Sequence, residues 1–152
     1  MADKFVKTIA NNSNNAIMKP VDDKEVKDVR YIGKINKQLL NEEFGHLKTD
    51  DIVVTEERLK HILTQHPMDY EFFEKFGIDT VINPDEIIKD CKNIGTVFMI
   101  KKLDETNLNV IVRLVLESDN ENYKNSVMTF YRIRNKNLVK LENKNKIIYK
   151  KE

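Results

Sequence analysis

A chain of 152 residues with 40% hydrophobic content builds one modest core, and a lone cysteine, Cys91, leaves neither an intrachain disulfide nor a cysteine-built zinc site. No run approaches the ~20 apolar residues of a membrane span, and Met1-Ala2-Asp3-Lys4-Phe5-Val6 lacks the apolar run of a signal peptide, so a soluble, unprocessed, cytoplasmic protein with no membrane partner is expected. A lone thiol is also compatible with delivery into another cell. The net charge of +1 is unevenly spread: Arg132 to Glu152 holds eight Lys or Arg against Glu142 and Glu152, a net +6, and the remainder carries −5. A basic end is what a polyanion-binding face requires, since each neutralised phosphate releases counterions; a solvated Lys/Asn-rich tail accounts for the same charges.

Residues 1–28 mix Asn11-Asn12-Ser13-Asn14-Asn15 with Pro20 and alternating charges, too few apolar side chains to fold alone. They read as a flexible or docked arm, and residues 29–152 as a single domain. Order begins at Tyr31-Ile32-Gly33, and a short helix over Lys37–Phe44 ends at Gly45. Ile52-Val53-Val54 reads as a brief strand. Thr55 is an N-cap for the next helix, and Glu56 and Glu57 complement the positive end of its dipole. Pro67 ends that helix. Leu59, Ile62 and Leu63 form its apolar stripe, His66 falls on the same stripe, and His61 lies on the polar face with Arg58 and Gln65. At ~100° per residue the two imidazoles diverge by about 140°.

A second helix is expected over Met68–Phe76, burying Phe72, Phe73 and Phe76, with Gly77 as its stop and one more helical turn through Ile78, Val81 and Ile82. Asn83-Pro84-Asp85 is a turn, after which the pattern changes to strands over Glu86–Asp90, Thr96–Leu103, Leu108–Glu117, Ser126–Arg134 and Lys146–Lys150. The connectors at 104–107 and 118–125 are short and polar, which favours antiparallel hairpins. The expected class is therefore α+β, with N-terminal helices packed on a four- to five-stranded antiparallel sheet. One sheet face meets the helices and the other stays partly polar.

Several residues have a place in acid–base chemistry on a phosphodiester. Histidine titrates nearest neutrality, which makes His61 and His66 proton carriers, while an exposed His61 and a capping His66 are the bland alternatives. Arg113 stands mid-strand among apolar residues: on an open face its planar fork would meet a phosphate, and otherwise it pairs with a carboxylate such as Glu117 or Glu105. If Met128 and Phe130 point into the core, Thr129 and Tyr131 lie beside Arg113, Thr129 to bond a phosphate oxygen and Tyr131 to stack on a base or assist proton transfer, or both simply to serve as good β-formers. The His61/His66 spacing is not that of a zincin and no carboxylate cluster accompanies it, so no metal and no cofactor are expected.

Five fragments in order, Thr55-Glu56-Glu57-Arg58-Leu59-Lys60-His61-Ile62 with His66-Pro67, Asn83-Pro84-Asp85-Glu86-Ile87, Val110-Ile111-Val112-Arg113-Leu114, Asn125-Ser126-Val127-Met128-Thr129 and Ile148-Tyr149-Lys150, span about Ile52 to Lys150. Together they resemble the phage-associated nucleases of the barnase–EndoU–colicin–RelE (BECR) superfamily. The resemblance implies metal-independent RNA cleavage, in which the ribose 2′-OH attacks its neighbouring phosphate to leave a 2′,3′-cyclic phosphate. It assigns His61 to proton transfer, His66 to a second proton transfer or to positioning His61, Arg113 to the phosphorane charge, Ser126 or Thr129 to a phosphate oxygen, and Tyr149 to substrate stacking, with Tyr131 and Lys150 as further substrate-binding candidates. A toxin-like ribonuclease held by a protein inhibitor, antitoxin or immunity protein is the expectation. A catalytically silent RNA-binding or phage-structural module, or an immunity or adaptor protein, would fit other parts of the same pattern.

Overall fold

The computed structural model describes residues 21–22, 28–120 and 122–152. Apart from Val21, Asp22 and Asp28, the expected N-terminal arm lies outside the described residues. Strand β1 (Val21–Asp22) pairs with Tyr123 and Lys124. Strand β2 (Val29–Lys34) leads through a 3-10 turn, Lys37–Leu39, in which Asn36 Oδ1 accepts from Gln38 N, into the one-turn helix α1 (Asn41–Phe44). Gly45 stops α1 at φ 73°, a left-handed backbone conformation that glycine adopts without steric cost. Strand β3 (Asp51–Thr55) then runs directly into helix α2 (Glu56–Gln65), with Thr55 Oγ1 accepting from Arg58 N at 3.1 Å as the expected cap.

Helix α3 (Pro67–Ile82) is one continuous element of 16 residues. The expected stop at Gly77 is therefore corrected. Gly77 is buried inside the helix because the ring of Phe73 lies over it, and a Cβ there would sit 2.6 Å from Phe73 Cδ1. Phe73 in turn stacks on Phe130, with ring centroids 4.0 Å apart and 10° between planes. Gly77→Val should accordingly destabilise the fold by about 1–3 kcal/mol through overpacking. A lowered urea midpoint reads this out; an unchanged one would mean that Phe73 swings aside without cost.

Strands β4 (Glu86–Lys89), β5 (Thr96–Lys102), β6 (Asn107–Arg113) and β7 (Tyr123–Ile133) are followed by helix α4 (Asn135–Lys144) and strand β8 (Lys146–Lys150). The sheet order is β2-β3-β7-β6-β5-β4-β8, with β1 beside β7. The four- to five-stranded antiparallel sheet is thus overturned: seven strands form the continuous path, and β3 pairs with β7 in parallel through Ile52 with Asn125 and Val53 with Ser126. Hairpin logic reads only neighbours in sequence. A parallel pair whose crossover is made by α2, α3 and three intervening strands leaves no local signal.

Both sheet faces are buried. The larger core sets Val97, Met99, Val110, Val112 and Phe130 against Leu59 and Ile62 of α2 and Phe73 and Val81 of α3. The opposite face carries Ile88, Phe98, Ile100, Ile111, Met128 and Ile133, closed by Leu138 of α4. This face, expected to be partly polar, carries buried polar residues such as Glu86, Asn109 and Thr129 and is packed against a helix that composition alone reads as part of a basic tail. Asn107 pins the start of α4, donating to Ile133 O and Asn135 Oδ1 at 2.9 Å each.

Candidate functional site

His66 is where α2 and α3 meet. Its N–H donates to Ile62 O to close α2, its own φ of −143° breaks the helical run, and Pro67 at the first position of α3 needs no N–H partner. The half-buried imidazole therefore stands at the bend, off the stripe made by Leu59 and Ile62; Leu63, expected on that stripe, is exposed. Burial pulls His66 below the ordinary histidine value, opposed by the Asp69 carboxylate and assisted by His61. A neutral imidazole at neutral pH is the form that accepts a proton. His61 is exposed on the outer side of α2.

Asp69, in the first turn of α3, is 8% exposed. Its Oδ1 accepts from Arg132 Nε at 2.7 Å and from the Arg132 backbone N–H at 3.2 Å. Asp69 thus links the electrostatics of His66 to a guanidinium on β7. That guanidinium also lies over the ring of Phe72, 5.2 Å from its centroid. Around these groups runs a groove of about 880 Å³ between α3, the β5–β6 turn and the end of β7. Lys75, Phe76, Arg134 and Thr106 complete its polar and aromatic lining, with Asp104 and Glu105 at the turn.

No family model, curated protein or solved structure matches this chain. The site therefore stands on its own geometry.

That geometry separates the residues the sequence grouped. Arg113 belongs to the alternate set of β6 from Val110 and Val112, the pair facing α2 and α3, so it and His61 are not brought together. Of its two readings the ion pair holds, with Asp119 as partner at 3.2 and 3.4 Å rather than Glu117 or Glu105. Arg113 also donates to Leu114 O and rests against the backbone of Gly95. Ser126 is fully buried, its Oγ donating to Lys124 O, and Thr129 is 4% exposed. Tyr131 packs at the edge of the core under α4. Tyr149 packs on the larger core, and Lys150 pairs with Glu142 at 3.3 Å. Neither Ser126 nor Thr129 has an open path to a backbone phosphate.

The residues missed were Asp69 and Arg132. In the sequence Asp69 has no signal beyond that of an acid near a helix start and Arg132 none beyond its charge, and nothing local ties positions 63 apart. Under α4 a second polar group was missed too. Glu86 is fully buried, and burial together with the neighbouring Glu142 carboxylate pushes it up to about 7, with Lys150 and Lys102 opposing. As carboxylates, neither Glu86 oxygen finds a donor. A proton on Glu86 supplies one, and Glu142, held ionised beside Lys150, is its acceptor. Among the described residues no group of three or more His, Cys, Asp or Glu is placed to hold a metal, and no helix is long and apolar enough to cross a membrane.

Proposed function

We propose that this protein is an endoribonuclease that needs no metal and works at the groove between α3 and the end of β7. The observation that carries the reading is the Asp69–Arg132 pair beside the ring of Phe72 in the wall of the groove, with His66 at the bend immediately before α3, three residues ahead of Asp69. His66 takes the proton of the ribose 2′-OH, the O2′–P bond forms, and the P–O5′ bond breaks to leave a 2′,3′-cyclic phosphate. The departing 5′-oxygen takes its proton from solvent. Arg132, positioned by Asp69, stabilises charge on the phosphorane. Phe72 offers a face for a base, and Lys75 and Arg134 meet flanking phosphates. The roles that the BECR resemblance gave to Arg113, Ser126 and Thr129 pass to Arg132 and its neighbours.

A silent RNA-binding module is the second reading, favoured by one feature: the Arg132 Nε is already engaged by Asp69. The test is mixed RNA in EDTA at pH 6–8 with wild type, His66→Ala, Arg132→Ala and His61→Ala. His66→Ala and Arg132→Ala should each lose ~10²-fold or more in rate, and His61→Ala far less, with all four chains shown folded by circular dichroism. Intact RNA with wild type leaves the binding module. Equal cleavage by His66→Ala and wild type removes His66 from the site.

A further inference from the structure

Helix α4 turns two different faces to its surroundings. Inward go Leu138, the partly buried Leu141, and Glu142, the helix's one acidic side chain, which Lys150 holds in an ion pair. Outward, at successive four-residue intervals, go Lys136, Lys140 and Lys144, all exposed, with Asn137 and Asn143 alongside. A helix rises 1.5 Å per residue, so these three ammonium groups stand on one stripe about 6 Å apart. Among the described residues none of the three has a salt bridge, whereas Lys146 and Lys150 of the next strand pair with Glu43 and Glu142. Helix stability accounts for Lys144, in the last turn, but not for the rest of the stripe. Lys136 sits in the first turn, where the dipole disfavours a cation and no acidic residue balances it. At the same end, Arg134 caps α4 and lines the groove that holds Arg132.

From this we infer that the outer face of α4 is a track for the backbone of single-stranded RNA, leading past Arg134 into the groove. The inference rests on the RNA reading above and names the part of the molecule that carries the strand away from the reacting phosphate. A single line of cations matches successive phosphates of one strand, while the amides of Asn137 and Asn143 bond sugar and phosphate oxygens without reading sequence. Val139, half exposed beside the stripe, offers an apolar edge to a base.

The probe is a fluorescently labelled 2′-O-methyl dodecamer of uridine, which has no free 2′-OH and cannot be cut. Its affinity is followed by anisotropy across a salt series. Wild type is compared with Lys136→Gln/Lys140→Gln/Lys144→Gln and with a control of equal charge outside α4, Lys37→Gln/Lys48→Gln/Lys60→Gln. Since each phosphate contact on a single strand contributes about 0.7 to the log–log salt slope, the α4 triple should lower the slope by about 2 and the control should leave it unchanged. Lys and Gln have similar helix propensity, so α4 itself persists. An unchanged slope, an equal loss in the control, a duplex bound as tightly as the single strand, or capture by phosphatidylserine vesicles without capture by the strand each overturns the track. Binding that shows the expected slope change in a protein that leaves mixed RNA intact supports the track and refutes the nuclease.

Discussion

Asp119→Ala should destabilise the fold by about 3 kcal/mol, the cost of leaving a largely buried guanidinium without its carboxylate. The Arg113 and Asp119 side chains are only 12% and 18% exposed. Asp119 Oδ2 also accepts from Leu116 N at 2.8 Å, so the pair closes the loop after β6 onto the end of the strand. On the other side Arg113 lies against Gly95, whose φ of 76° and missing Cβ leave room for the guanidinium. Arg113→Met combined with Asp119→Ala removes both charges, and should recover a substantial part of the loss because a flexible apolar chain fills the same space. Chemical denaturation of the two single variants and the double closes the cycle. If Asp119→Ala unfolds at the wild-type midpoint while Arg113→Ala loses RNA cleavage, the guanidinium belongs to the chemistry after all.

Arg113 shows where sequence reading stops. An arginine among Val110, Ile111, Val112 and Leu114 announces an unusual site, and the two readings it allows, a phosphate or a carboxylate, follow from its chemistry alone. The choice between them depends on whether a carboxylate reaches the guanidinium, and Asp119 does so from the loop after β6. The signal for α4 was present as Leu138 with Leu141 at helical spacing, yet the Lys and Asn residues around them resemble a solvated tail by composition. Ser126 and Thr129 are core residues in the fold and lack access to any substrate. The histidines fared differently. Their helix and its Thr55 cap were readable from local rules, but His66 leaves the helix at the bend, and Arg132 approaches Asp69 only through the tertiary fold.

The same division runs through the sheet. Strands β4 to β8 lay within a few residues of their expected limits because alternation and turn chemistry are local. Strand β6 stops at Arg113 rather than Glu117 because the chain turns there into the loop that Asp119 fastens. In β7 a register shift opposite Ile111 and Val112 inserts Met128, so Val127 and Phe130 share the larger core while Met128 joins the other. Strict alternation across 126–134 cannot reproduce that set. Strand β3 is legible as a fragment and β2 as the point where order begins, but the place of β3 beside β7, with β2 outside it, is not, since the pairing of Ile52 with Asn125 has no local mark.

Replacing Glu86 with glutamine should remove a pH dependence of stability that wild type shows between about pH 4.5 and 7. The Glu86 carboxyl ordinarily titrates near 4.5 and is pushed up to about 7 in the fold, first by burial and then by Glu142. A carboxyl raised on folding holds its proton in the native state, so its contribution is fully present below pH 4.5 and is lost as pH rises through 7. At 1.36 kcal/mol per pH unit that is on the order of 3 kcal/mol, an upper value since Glu142 moves the opposite way. Glu142 is held below its ordinary range by Glu86 and Lys150, so its own contribution is present above pH 4.5 and fades in acid. The pair is thus most stabilising near pH 4.5–5, where one proton lies between two carboxylates and the ion pair to Lys150 is intact. Glutamine donates the same hydrogen bond to Glu142 at every pH. The wild-type-minus-Glu86→Gln difference in unfolding free energy, from urea titrations at pH 5, 6, 7 and 8, should fall from pH 5 to 7 and level off by pH 8. Subtraction cancels the opposite drift that His66 adds in this window, since a histidine lowered on folding stabilises above its folded value and weakens as pH drops. Amide exchange should place the effect in α4 and β8, which close over Glu86. A difference that stays flat from pH 5 to 8 would mean that Glu86 is ionised in the fold, with water reaching beneath α4.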